Sequence, residues 1–286
     1  MNYRHAFHAG NFSDVFKHAI LARILVYLIQ KPAPLLYLDT HAGAALYDLT
    51  SDEARRSPEW QDGIAKLLTA DFDAETATLL APYLSVAFEG KSGDTLTSYP
   101  GSPVFAQRLL RESDRIVLCE LHPKDAVHAR ENLGRDKRAR VIEGDGYLSL
   151  GALVPPPERR GLVLIDPPFE AEGEWQNMAD AVNLVLKKWP TGIYALWYPL
   201  KSGVEGRNLA ATLNPALIKN LLCLELQVSA VNLPGKHDRK GLAGCGMLII
   251  NPPYQLAQEA ETLLPALSSL MGTQSAGWRA DWLVQS

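Results

Sequence analysis

The sequence predicts an α/β fold, a mostly parallel seven-stranded sheet with helices on both faces and one small helical insertion. Three observations carry this. Seven short apolar runs, most of them ending in Gly, Pro or Asp, are spaced along the 286 residues. Helical periodicity fills several of the intervals between them. One interval, between the first and second runs, is about 75 residues long, where a simple strand–helix–strand unit needs only ~30.

In chain order, the first element is a helix from Asp14 to Gln30, with Ser13 as its N-cap and Phe16, Ile20, Ile24 and Tyr27 at helical spacing. The strands are Leu35–Asp39, Arg115–Glu120, Arg140–Glu143, Leu162–Asp166, Ile193–Trp197, Leu222–Val228 and Gly246–Asn251, with helices at Val104–Arg111, Asp125–Asn132 and Trp175–Lys188. The core therefore comprises residues 1–45 and 100–286, and residues 46–99 form a helical insertion. Trp60, Ile64, Leu67 and Leu68 suggest one helix there, and Ala74, Ala77, Leu80 and Leu84 another. At the junction, Ser102 fits an N-cap and Pro103 the first helical position. The insertion is read either as part of a lid at the carboxyl edge of the sheet or as a decorative hairpin.

Composition narrows the function. With 47% apolar and 21% charged residues, the chain reads as an ordinary globular protein. The first residues lack the apolar run of a secretory signal, and Ala19 to Ile29 is too short to span a bilayer. Cys119, Cys223 and Cys245 are far apart and lack metal-ligand spacing, so reduced buried thiols in a cytoplasmic protein are expected. The net charge of −4 argues against strong non-specific nucleic-acid binding. However, residues 44–99 carry −6 and the rest +2, which leaves room for local basic patches.

The strongest chemical signal is Asp166-Pro167-Pro168-Phe169 after the fourth strand. An exocyclic base amine is a poor nucleophile because its lone pair is delocalised into the ring. The Asp166 carboxylate and the Pro167 carbonyl are placed to accept its N–H bonds. The prolines stiffen the turn, and Phe169 offers a face for an extruded base. Direct displacement of a methyl group from a sulfonium then requires positioning, with neither a metal nor a covalent nucleophile. Asn251-Pro252-Pro253-Tyr254 repeats the pattern after the seventh strand. That strand is expected to run antiparallel, so the second tetrad is read as a structural turn.

Cofactor signals follow successive strands. Asp39-Thr40-His41-Ala42-Gly43 resembles the D-x-x-x-G loop of methyltransferases, although Ala45 replaces a further glycine. Glu120 ends the second strand, where an acid can accept ribose hydroxyls, and Asp145-Gly146 follows the third, where an acid can hold an adenine amino group. The Ser102 hydroxyl and neighbouring N–H groups suit the cofactor carboxylate. The N-terminal segment Tyr3 to Asn11, followed by Lys17 and His18, mixes aromatic, basic and amide groups suited to stacking and phosphate contact. A second basic candidate is Lys236-His237-Asp238-Arg239-Lys240. Each of these segments is also readable as a helix cap or a solvated charge run.

The stretches YRHAFHAGNFSDVFKH, YLDTHAG, YPGSP, ELHP, GDGY, RRGLVLIDPPF, TGIYALWYP and GMLIINPPY, in order from residue 3 to about residue 254, resemble the RlmJ family of large-subunit ribosomal RNA adenine-N6 methyltransferases. The resemblance implies a Rossmann-like class I methyltransferase core, S-adenosylmethionine as cofactor and one adenine of 23S rRNA as target (the adenine-2030 class). It also implies a monomer acting on protein-free RNA. Carried over by motif, it implies that His18, His41, Gly43, Ser102, Glu120, Asp145, Gly146 and Asp166 contact the cofactor. Asp166 is then catalytic, with Pro167 and Phe169, and Tyr3, Arg4, Lys17 and Phe169 meet the substrate. The histidines act by hydrogen bonding and shape rather than by binding metal. The family tetrad often ends in Tyr, so Phe169 keeps the stacking face without the hydroxyl.

The residues leave rivals open. The same chemistry suits DNA adenine or guanine N2 of RNA, and some relatives carry a label linking them to use of external DNA. A protein-glutamine or small-molecule methyltransferase would suit the acidic net charge. A non-enzymatic binding module would not need Asp166.

Overall fold

The computed structural model describes residues 4–93, 95–230 and 242–285. Its centre is one sheet of eight strands, β1 (Leu36–Asp39), β2 (Arg115–Glu120), β3 (Ala139–Glu143), β4 (Gly161–Ile165), β5 (Ile193–Leu200), β6 (Leu221–Gln227), β7 (Gly244–Ile250) and β8 (Gly277–Val284). They lie in the order β8-β6-β7-β5-β4-β1-β2-β3. The pairs from β5 to β3 are parallel, and β7 is antiparallel to both β5 and β6.

All seven expected strands are present; β8 corrects the count to eight. Its run, Gly-Trp-Arg-Ala-Asp-Trp-Leu-Val, mixes apolar and charged residues at the sheet edge and lacks the continuous apolar signature of the buried strands.

Successive strand residues face opposite layers. Tyr37, Ile116, Leu118, Leu162 and Leu164 join a core with α1 (Phe12–Ile29), α2 (Ala74–Ala87), α3 (Ser102–Leu109), α4 (Pro123–Leu133) and, nearer the antiparallel strands, α8 (Leu256–Met271). Leu36, Leu38, Val117, Val163 and Ile165 join the other core, with α5 (Gly146–Leu153), α6 (Glu174–Lys188) and α7 (Glu205–Thr212). The three cysteines are free and buried. No helix among the described residues is long and apolar enough to cross a membrane.

Two caps differ from expectation. The N-cap of α1 is Asn11, not Ser13, because its Oδ1 accepts from Ser13 N and Asp14 N at 3.0 Å each. This frees the Ser13 hydroxyl to accept from Trp197 Nε1 at 3.1 Å. In α3 the cap is Gly101, and Ser102 is the first helical residue.

Residues 46–48 and 98–100 pair as an antiparallel ribbon that closes the insertion at its base. Within it, α2 lays Leu80, Tyr83, Val86 and Ala87 into the same core as α1 and the sheet, and Tyr83 stacks on Phe105 at 5.5 Å. The segment therefore covers a helical face of the protein rather than standing on its own.

The helical layer is fixed by a buried pair. Arg23 of α1 donates from Nε and Nη2 to Glu259 of α8 at 2.9 and 2.6 Å, with both side chains about a tenth exposed. Removing one partner leaves an uncompensated buried charge. Glu259→Ala should lower unfolding stability by about 3 kcal/mol in chemical denaturation. A loss indistinguishable from zero would show that the pair contributes nothing to the layer.

Candidate active site

Because β1 lies between β4 and β2, the chain leaves β1 and β4 in opposite lateral directions. Open α/β sheets bind ligands at such a switch point, outside the carboxyl ends of the strands. A cavity of about 800 Å³ opens there, lined among the described residues by eight carboxylates and two lysines.

Behind the first wall, Asp39 at the end of β1 is fully buried. Its Oδ2 accepts from Ser102 Oγ at 2.6 Å and Tyr37 Oη at 2.8 Å, and its Oδ1 accepts from His41 N at 3.1 Å. Burial pushes its carboxyl above the ordinary value, against the pull of these donors. Gly43 sits at φ +63°, and its N–H donates to Glu120 Oε2 at 2.7 Å. The other Glu120 oxygen accepts from His122 N at 2.7 Å, so this acid also holds two loops together.

After β3, Asp145 caps α5 by accepting from Leu148 N at 3.0 Å. A Cβ on Gly146 would lie 2.0 Å from the Thr40 oxygen, so only glycine lets the first and third loops approach. Tyr147 donates to Glu174 Oε1 at 2.8 Å and meets the His41 ring edge-on at 5.1 Å. After β4, Asp166, Pro167 and Phe169 all line the cavity. Phe169 takes φ +53°, a conformation rare for a bulky residue, and its ring lies 4.6 Å from Trp175 and 5.9 Å from Trp197.

The front wall comes from α1 and the strap before it. The Lys17 ammonium contacts Asp14 Oδ1 at 2.9 Å and Asp166 Oδ2 at 2.5 Å. Asp14 Oδ2 also accepts from His5 Nε2 at 2.8 Å and Gly10 N at 2.9 Å. Burial alone would push Lys17 down, yet the two carboxylates hold it well above the lysine range. Burial opposes ionisation of Asp14 too, and His5 and Lys17 overcome it to hold that carboxyl well below its usual value. His18 accepts or donates through Nδ1 to Tyr99 Oη at 2.9 Å, whereas its Nε2 is buried with no partner among the described residues.

The expected residues His18, His41, Gly43, Ser102, Glu120, Asp145, Gly146, Asp166, Pro167 and Phe169 thus line one cavity, together with Lys17, whose ammonium is committed to carboxylates. Arg4 instead pairs with Glu53 at 2.9 Å and lies outside that lining. Tyr3 and the run Lys236 to Lys240 lie outside the described residues. Asp14, Tyr147, Glu174 and Trp197 were not expected there. The available signal for Asp14 is its i, i+3 spacing to Lys17 on one helix face.

The second tetrad lies at the opposite end of the sheet, after the antiparallel β7. Asn251 takes φ +53° and donates its amide to Pro190 O and Gly192 O at 2.8 Å each, while Tyr254 is 79% exposed.

A switch-point cavity with acids beyond four parallel strands and an antiparallel strand after them gives a Rossmann-like fold with a ligand site at its carboxyl edge, and its relatives are methyltransferases. The family model described as "Ribosomal RNA large subunit methyltransferase D, RlmJ" matches residues 32–284, and the chain belongs to that family. It is 40% identical over 285 residues, 99% of both chains, to ribosomal RNA large subunit methyltransferase J of Escherichia coli (strain K12). It is 36% identical over the same span to the Haemophilus influenzae protein of that name. Protein LPL1258 from Legionella pneumophila superposes with a TM-score of 0.84 at 34% identity, covering 96% of this chain and 98% of its own.

Burial holds His41 down to about 4, and burial with Lys17 alongside holds His18 well below its ordinary value. His8 is raised, chiefly by its bond to Glu59. Below about pH 6.5 the unfolded chain protonates the positions that folded His18 and His41 keep neutral. Their contribution to stability therefore falls as pH drops from 6.5 toward 4, by up to about 1.4 kcal/mol per pH unit for each histidine. The His8 contribution is present below pH 6.5 and is lost as pH rises through its raised value. Imidazole NMR titration should show His18 and His41 silent between pH 6 and 8; inflections there would refute the assignment.

Proposed function

We propose that the protein transfers the methyl group of S-adenosylmethionine to N6 of an adenine in 23S ribosomal RNA, acting as a cytoplasmic monomer. The observation that carries this reading is the state of Asp166. One oxygen is held by Lys17, the other has no hydrogen-bond partner among the described residues, and Phe169 and Trp197 line the same cavity.

The cavity residues fit the cofactor. His18 Nε2 is a buried polar atom awaiting a partner, and the excess of carboxylates suits a ligand that carries a sulfonium and an ammonium. His18, His41, Gly43, Ser102, Glu120, Asp145, Gly146 and Asp166 would hold it. When bound, it supplies an electrophilic methyl group that leaves its sulfur as the new N–C bond forms.

Phe169, with Trp197 nearby, receives the extruded base on its face. The free Asp166 oxygen accepts one N6–H and draws the nitrogen lone pair out of conjugation, with the Pro167 carbonyl as second acceptor. Lys17 keeps the carboxylate oriented. The amine sheds one proton, which leaves by way of Asp166 to solvent. The acidic wall admits an uncharged base and opposes phosphate, so the RNA backbone stays at the rim. The names of the Escherichia coli and Haemophilus influenzae relatives support ribosomal RNA as the substrate.

Asp166→Asn should reduce methyl transfer from labelled S-adenosylmethionine to unmodified 23S rRNA by at least about a hundredfold. Nucleoside mass spectrometry of the wild-type product should show N6-methyladenine. Label recovered in guanine, or in DNA in preference to rRNA, would overturn the reading.

Phe169→Ala removes the stacking face, worth about 1–3 kcal/mol per base. It should weaken RNA use about tenfold or more while leaving cofactor affinity unchanged in calorimetry. An equal loss of cofactor affinity would assign Phe169 to the wrong ligand.

A further inference from the structure

The hydrogen-bond arithmetic around Asp39 determines something about Ser102 that the cavity lining alone does not. A hydroxyl has one proton to donate and two lone pairs to offer. Asp39 receives three donors, and one of them, His41 N–H, can only donate. The Ser102–Asp39 contact of 2.6 Å is in the short range of charge-assisted O–H···O⁻ bonds. The Ser102 proton is therefore spent on the protein side, and its lone pairs are what remain for a ligand.

Of the neighbouring backbone donors, only the N–H of Ser102 itself has no acceptor among the described residues. Gly101 N–H donates to Ala45 O at 2.7 Å, Pro103 has no N–H, and Val104 N–H turns back to Gly101 O at 3.0 Å. The carboxylate-rich lining favours a cation.

We propose that Asp39, which does not itself line the cavity, is a positioning residue that turns the Ser102 hydroxyl into an acceptor for the α-ammonium of the cofactor's methionine end. This rests on the reading of the cavity as an S-adenosylmethionine site, and it reverses the expectation that the Ser102 hydroxyl serves the carboxylate.

The isosteric Asp39→Asn tests the polarity. His41 N–H forces the amide oxygen into the Oδ1 position, so the amide NH2 faces Ser102 and Tyr37. Ser102 would then accept from Asn and aim its own proton at the ligand. Three probes separate the outcomes by calorimetry: S-adenosylhomocysteine, its analogue lacking the α-amino group, and its decarboxylated analogue.

For the wild-type chain, removing the amino group should weaken binding about tenfold, the scale of one hydrogen bond to a charged group. In Asp39→Asn and in Ser102→Ala that penalty should shrink to about twofold or less, while the penalty for removing the carboxylate stays as in wild type. Tyr37→Phe, which removes another donor from the same oxygen, should keep the wild-type pattern. An amino penalty that survives in both Ser102→Ala and Asp39→Asn, or a carboxylate penalty that collapses in its place, would overturn the proposal. Ser102→Ala retains the other two donors to Asp39, so it decides the matter even if Asp39→Asn does not fold. Failure of S-adenosylhomocysteine to bind the wild-type chain would overturn the cofactor reading itself, a result distinct from lost discrimination among binding variants.

Discussion

A lysine ammonium buried between two carboxylates holds this site together. Lys17 is 6% exposed, Asp14 2% and Asp166 16%. Removing three charges from water is costly unless each finds partners. Here Lys17 receives two carboxylate contacts, and Asp14 is further satisfied by His5 and by the backbone of Gly10. The consequence is geometric. The helix that opens the chain and the strand end some 150 residues later are locked at one point, so the orientation of Asp166 depends on the seating of α1 against the sheet.

Carboxylates concentrate inside the cavity at the carboxyl edge of the sheet. Residues 44–99 carry −6 and the rest of the chain +2, so the net charge of −4 arises in the insertion.

The parallel half of the sheet was legible because its central strands β1, β2 and β4 are short apolar runs that end at or just before an acid. The acids themselves were legible because they recur at successive strand ends. Topology also separated the two D/N-P-P-aromatic tetrads, since only β4 ends at the cavity. What escaped notice lacks a local signature. β8 mixes charged with apolar residues at an edge. Asn11 rather than Ser13 caps α1, and the Ser13 hydroxyl left free by that cap is taken by Trp197, from 184 residues away. Trp197 and Glu174 reach the site only through the packing of β5 and α6 beside β4. Asp14 looks like an ordinary first-turn acid until the fold brings Asp166 to Lys17.

The insertion has a less obvious relation to the site. Glu59 receives His8 Nδ1 and Asn11 Nδ2 at 2.9 Å each, Arg4 reaches Glu53, and Ile64 N–H donates to Gly10 O at 2.9 Å. Asn11 is at the same time the residue that starts α1. The turn at 59–64 therefore acts as a splint for residues 4–11, while α2 behind it shares the core with α1. The splint depends on both its carboxylate and its glycine, because Glu59 holds His8 and Asn11, and a Cβ at Gly63 would sit 2.2 Å from the Gly10 oxygen.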